Sequence, residues 1–242
     1  MIYEIKSAII LAAGRGSRLN ELTTSTPKPL IKVKGQVLIE RMIEQLQQRG
    51  IESIYVVTGY KHWMFDYLEQ KYGVILIYNK KWFCTNNIIS FIKAYEGRSR
   101  CSNLYGTIML DADLYINNAD IIKTKIDCSG YYLEYSNDKN LCSKEWTANV
   151  CDTVHKIDGV ITEGIRNNGY ILRSLSYWTP QDMLKLYTFA KEIVQAKNVQ
   201  CYIDNISCIL YANKFYLKGY ISDKNAISEI DSMTDYIQIN KE

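Results

Sequence analysis

Three stretches carry residues whose types and spacing suit chemistry. The first, Ala8 to Leu30, reads "AIILAAGRGSRLNELTTSTPKPL". An apolar run ending in Gly14-Arg15-Gly16-Ser17 offers backbone N–H groups with no Cβ in the way, a natural seat for a phosphate. Arg15 and Arg18 add forked donors, and Lys28 adds a compact positive charge. Pro27 and Pro29 restrict the backbone on both sides of Lys28 and so fix where its ammonium points. A solvated basic loop is the plainer alternative; it accounts for the charges but not for the clamped lysine. Two known phosphate loops are excluded. A dinucleotide fingerprint needs glycine at position 19, which is Leu19, and Arg18-Leu19-Asn20 does not complete a Walker A loop.

The second stretch, "IMLDADLYI", ends an apolar strand with Asp111 and Asp113, two apart and so on one side of an extended backbone. At the carboxyl end of a parallel strand, where ligands bind, such a pair suits Mg²⁺ and phosphate oxygens. One of the two could instead cap the following turn. "ISEIDSMTDY" later places Glu229 and Asp231 at another strand end. The third stretch, "TNNIIS", supplies Asn86, Asn87 and Ser90 as amide and hydroxyl groups, although Thr85 and Asn86 could simply cap a helix. His62 and His155, the only two histidines, lie in no metal-binding or triad spacing, so no covalent apparatus is evident.

These residues need a scaffold. "SAIILAAG" reads as a central parallel strand, apolar throughout because both faces are covered. "VLIERMIEQLQQRG" puts Leu38, Met42, Ile43 and Leu46 on one helical stripe that stops at Gly50. "IESIYVVTGY", "VILIYN" and "LYGTIMLDAD" follow as strands, separated by the helices "HWMFDYLEQKYG" and "NNIISFIKAYEG". Such alternation predicts a parallel sheet covered by helices. The second half reads as shorter, more polar strands ("GYYLEYS", "TANVCDTV", "GVITEGIR", "GYILRSLSYW") and a helix, "TPQDMLKLYTFAKEIVQ", capped by Thr179. The expected fold class is α/β, a mixed and mostly parallel sheet with a small antiparallel extension. A single domain over 1–242 is expected, its second half covering the substrate.

Composition narrows the function classes. The net charge is +3, yet residues 1–50 hold eight basic side chains against four acidic ones. That local surplus beside a glycine loop suits a phosphate ligand rather than a nucleic acid. The seven cysteines (84, 101, 128, 142, 151, 201 and 208) show no C-x-x-C spacing. Their odd number, and the absence of a secretory leader, point to reduced thiols in a cytoplasm, with no membrane partner. The oligomeric state is not legible.

"LAAGRGSRL" followed by "TPKPL" resembles the two-part signature of nucleotidyltransferases that join an NTP to a phosphorylated small molecule. The resemblance implies a Rossmann-like nucleotidyltransferase fold, a single domain over 1–242 with 1–127 the nucleotide-binding half and 128–242 the acceptor-binding half. Gly14, Arg15, Gly16 and Arg18 then hold the triphosphate, Leu11, Ala12 and Ala13 flank the nucleoside, and Lys28 stabilises transition-state charge. Asp113 and Asp231 hold Mg²⁺, with Asp111 beside the nucleotide. The stretches "KYGVILIYN", "TNNIIS", "LDADLYI", "KEWTA", "SLSYWTPQD", "YIDN" and "EIDSMTDY" are similar, in order, to bacterial CTP:phosphocholine cytidylyltransferases. That likeness implies cytosine near Asn86, Asn87 and Ser90. It also implies a trimethylammonium pocket walled by Trp146, Trp178, Tyr177 and Tyr202, with Asp204 as counter-charge and Glu229 adjacent. Packing in the core is the alternative for each aromatic residue. Ile203 stands where that family carries an aromatic residue, which keeps phosphoethanolamine and 2-aminoethylphosphonate open as acceptors. A sugar-1-phosphate nucleotidyltransferase and a non-catalytic nucleotide-binding domain are the remaining readings.

Overall fold

The computed structural model describes residues 1–19, 21–98, 104–136, 146–151, 155–161, 169–222 and 226–241. Strand β1, Tyr3–Ala12, lies inside the sheet, and Ala8, Ile9 and Ile10 are wholly buried because helices cover both faces. It pairs in parallel with β2 (Ser53–Thr58) on one side and β4 (Gly106–Asp111) on the other, and β2 pairs in parallel with β3 (Ile75–Tyr78).

Beyond β4 the sheet continues without a break. β9 (Gly169–Trp178) runs antiparallel to β4 and to β6 (Gly130–Ser136), and β10 (Lys218–Ser222) runs parallel to β6. β7 (Thr147–Cys151) and β8 (Lys156–Ile161) complete the far edge. Strand order is β7-β8-β10-β6-β9-β4-β1-β2-β3. The parallel half matches the expectation, while the extension is five strands wide, antiparallel except for the β10–β6 pair, and larger than the polar second half suggested. Parts of the expected strands "TANVCDTV" and "GVITEGIR", and Lys144 and Glu145 of "KEWTA", lie outside the described residues.

Helices α1 (Leu38–Gln48) and α2 (Tyr67–Tyr72) cover one face; α3 (Asn87–Gly97) and α4 (Pro180–Gln195) cover the other. Alternation along each strand divides the core accordingly. Ile10, Val56, Leu110 and Tyr177 pack with Met42 and Leu46, whereas Ile9, Val57, Met109 and Trp178 pack with Phe91 and Leu186. The stretch expected as one helix from His62 begins as a 3₁₀ turn, His62–Phe65, before α2. Two further elements bear on the site, the strand expected at "ISEID" and a helix that was not expected. β11 (Ile227–Glu229) pairs antiparallel with β5 (Leu114–Ile116), and α5 (Met233–Lys241) follows it. Their residues Ile230 and Ile239 join Leu19, Ile31 and Leu38 in a small core beneath the basic loop.

Candidate active site

The carboxyl ends of β1 and β4 and the segment that follows β3 open onto a cleft of about 270 Å³. Leu11 stands in register with Asp111, and Ala12 with Thr58, so strand-end backbone forms its floor. Leu11, Ala12, Ala13, Gly14, Gly16, Arg18 and Lys28 line it, as do Asn86, Asn87, Ser90, Asp111, Asp113, Tyr202 and Asp231. Residues more than two hundred positions apart in sequence thus converge.

Lys28 is buried, and its Nζ donates to Asp113 Oδ2 at 2.8 Å and to Asp231 Oδ1 at 3.0 Å. Arg18, largely exposed, holds Asp231 with two nitrogens at 3.0 and 3.1 Å. Burial works to lower the Lys28 pKa, but the two carboxylates outweigh it and raise the value above an ordinary lysine. Lys28 is a permanent positive charge at neutral pH. Gly16 makes its position possible. With φ +68°, a Cβ at residue 16 would lie 2.7 Å from Lys28 Cβ.

Asp231 reaches Asp113 because β11 pairs with β5 and the Ile230 N–H donates to the Asp113 carbonyl at 3.1 Å. A capping box then fixes it: Asp235 Oδ2 accepts from the N–H groups of Asp231 and Ser232, and Ser232 Oγ accepts from the Asp235 N–H. Sequence reasoning missed this box, although "SMTD" carries its S-x-x-D signal. Asp113 and Asp231 are two hard oxygen donors facing one point. Among the described residues no cluster of three or more His, Cys, Asp or Glu has metal-binding geometry. Two carboxylates alone fit an ion such as Mg²⁺, which keeps waters and takes phosphate oxygens, rather than a caged structural metal.

Across the cleft, Asn86 caps α3, its Oδ1 accepting the Asn87 N–H at 2.8 Å, so the capping role is realised in a residue that also faces the cleft. Asn87 Oδ1 accepts the Ile203 N–H at 2.9 Å and ties α3 to the segment carrying Tyr202 and Asp204. Asn79, Trp82 and Thr85 also line this side; sequence reasoning had not singled out Asn79 or Trp82, and had named Thr85 only as a possible helix cap. Arg15 is not among the lining residues. Its exposed guanidinium lies 5.7 Å from the centre of the Tyr60 ring.

The expected acceptor residues divide. Asp111 and Asp204 meet in a recess of about 10 Å³ with Ser174, Ser176 and the buried Ile203. Glu229 Oε1 accepts from the N–H and hydroxyl of Ser174, each at 3.4 Å. Burial first, then the charges of Asp113, Asp204 and Glu229, hold the Asp111 carboxyl well above the usual range. Burial raises Asp204 too, against the Tyr131 hydrogen bond that lowers it. Carboxyls crowded in this way favour a cation among them. Trp146 and Tyr202 meet edge to face at 6.5 Å, with Tyr202 half exposed at the cleft.

Tyr177 and Trp178 do not join that wall. Both are wholly buried; the Tyr177 hydroxyl donates to the Ile121 carbonyl at 2.6 Å, and Trp178 Nε1 donates to Ser176 Oγ at 2.8 Å. As neighbours on β9 they face opposite layers, which period-two alternation requires.

Comparison with known proteins shows the family. Residues 8–129 match the family described as "MobA-like NTP transferase domain". Choline-phosphate cytidylyltransferase of Streptococcus pneumoniae is 34% identical over 97% of this chain and 96% of its own. The 2-aminoethylphosphonate cytidylyltransferase of Lancefieldella rimae is also 34% identical, over 77% of this chain and 72% of its own. The solved structure of CTP:phosphocholine cytidylyltransferase from Streptococcus pneumoniae superposes with a TM-score of 0.82 at 32% identity, covering 98% of this chain and 99% of that one.

Proposed function

The chain belongs to the MobA-like NTP transferases and, within them, to the choline-phosphate cytidylyltransferases, and from that premise we propose that it joins CTP to phosphocholine, giving CDP-choline and pyrophosphate. The observation that carries the reading is Lys28, buried and held between Asp113 and Asp231 beside a glycine loop.

In this reading a phosphate oxygen of phosphocholine attacks the α-phosphorus of CTP in line. A new oxygen–phosphorus bond forms as the bond to the β-phosphate oxygen breaks, and both electrons of that bond leave with pyrophosphate. Phosphate is already a competent nucleophile, so no general base is required. Lys28 stabilises the charge that develops around the α-phosphorus, and Arg18 with the N–H groups of Gly14 and Gly16 holds the departing phosphates. Asp113 and Asp231 are the residues that would hold Mg²⁺, which when bound supplies further positive charge against the triphosphate. Asp111, Asp204 and Glu229 attract the ammonium end of the acceptor, with Trp146 and Tyr202 offering it aromatic faces.

A second acceptor has a specific observation behind it. Three carboxylates beside the Trp146 and Tyr202 rings also suit a primary ammonium, as in 2-aminoethylphosphonate. The test is pyrophosphate release with CTP and Mg²⁺, run in parallel with phosphocholine, phosphoethanolamine, 2-aminoethylphosphonate and glucose-1-phosphate. Preference for phosphocholine is expected. A faster reaction with either primary amine overturns the acceptor assignment, glucose-1-phosphate as the best substrate overturns the class, and silence with all four leaves a nucleotide-binding domain without turnover.

A further inference from the structure

Asn79 lies at the end of β3, beneath the side of the cleft that faces Lys28, and is 1% exposed. The direction of its amide is set by a backbone group that cannot reverse. The Lys81 N–H can only donate, and it donates to Asn79 Oδ1 at 3.0 Å. The amide nitrogen Nδ2 must then point the other way, where it donates to Ser90 Oγ at 3.0 Å. The main chain of Asn79 is held as firmly: its N–H donates to the Thr58 carbonyl at 2.8 Å, and its carbonyl accepts the Trp82 N–H at 3.2 Å. Ser90 is 4% exposed, lines the cleft, and has no acceptor for its own hydrogen among the described residues. Because Oγ already accepts from Asn79, that hydrogen is left for the cleft.

We propose that Asn79 is a positioning residue for nucleotide choice: through Nδ2 it turns Ser90 into a hydrogen-bond donor to the N3 acceptor of a cytosine ring. Uracil carries N–H at that position, so the same hydroxyl meets a donor with a donor. The proposal rests on the CTP reading above and extends it from the phosphates to the base. Replacing the amide by a carboxylate of the same shape reverses the relay. In Asn79→Asp the ionised group accepts from Ser90, the hydroxyl hydrogen turns inward, and only lone pairs face the base.

The experiment measures the Kd of CTP and UTP by calorimetry in Mg²⁺ buffer, without acceptor, for the wild type, Asn79→Asp, Ser90→Ala and the double variant, at several pH values from 6 to 9. The Kd ratio is the readout, because a merely structural defect weakens both nucleotides alike. The wild type is expected to prefer CTP, and each single variant to lower that preference about tenfold. The double variant is expected to match Ser90→Ala, since Asn79 acts only through that hydroxyl. Recovery of the preference by Asn79→Asp toward pH 6 also supports the relay, because a protonated carboxyl donates as the amide does. An unchanged ratio in Asn79→Asp across the whole pH range, with the ratio lowered in Ser90→Ala, overturns the positioning role. Equal weakening of both nucleotides in both variants overturns it as well. A wild type that binds UTP as well as CTP overturns instead the cytidylyl reading on which the proposal rests.

Discussion

Asp204, proposed to meet the ammonium end of the acceptor, carries a cost in stability. Its carboxyl sits among Asp111, Ser174, Ser176 and Ile203, with burial raising its pKa above the ordinary value of 3.8. The folded protein therefore holds that proton more tightly than the unfolded chain does. Below the unfolded value both states are protonated and the group costs nothing; as pH rises through the folded pKa, the folded state carries a buried charge and loses stability. Asp204→Asn is expected to raise Tm at pH 8, and the gain is expected to shrink to nothing as pH falls toward 4. The same substitution is expected to raise KM for the amine-bearing acceptor while leaving KM for CTP near its wild-type value. Thermal melts at both pH values with matched kinetics check this, and a lower Tm at pH 8 would mean that the Tyr131 hydrogen bond outweighs the burial. Lys28 is a contrasting case, because its burial is compensated on the spot by Asp113 and Asp231.

At the scale of elements, the loop after β1 works because its two glycines do different things. Gly14 has open space around it, whereas Gly16 lies at positive φ with Lys28 packed where a Cβ would be. Gly16→Ala is expected to destabilise the protein by about 1 kcal/mol or more and to displace Lys28. Gly14→Ala is expected to stay within about 0.5 kcal/mol of the wild type. Paired denaturant melts check the contrast, and equal losses at the two positions would remove the steric account. This loop was legible in the sequence because its chemistry is local: glycines, forked cations and prolines lie within a few residues of one another. The stripe of α1 and the Thr179 cap of α4, whose hydroxyl accepts the Asp182 N–H, were legible for the same reason. The face each aromatic of β9 takes was open to the same reasoning, since Tyr177 and Trp178 as neighbours in a strand cannot share a pocket. What local pattern could not show was the contact of Asn79 with Ser90, or of Ile230 with Asp113. The first spans eleven residues but crosses a strand-to-helix connection whose course no periodicity fixes; the second joins residues more than a hundred apart, and such pairing leaves no periodic trace.

The whole molecule resolves why its two halves are hard to separate. The parallel strands and the antiparallel extension form one sheet through the β4–β9 pairing, where Leu110 stands opposite Leu175. The cleft draws Lys28 and Asp113 from the first half and Asp231 and Tyr202 from the second. Opening the seam between 1–127 and 128–242 would expose Leu110, Ile108, Tyr177 and Leu175, all now within one buried cluster. Domains that share a core in this way unfold as a unit. Calorimetry is expected to show a single transition, with van't Hoff and calorimetric enthalpies in agreement. CTP, although its phosphates are proposed to meet the first half, is expected to shift that entire transition upward, because binding stabilises whatever unfolds cooperatively with the site. Two transitions, only the earlier or later of which moves with CTP, would show instead that the halves fold separately. In that case Asp231 would reach Lys28 by docking of one unit on the other rather than through a common core.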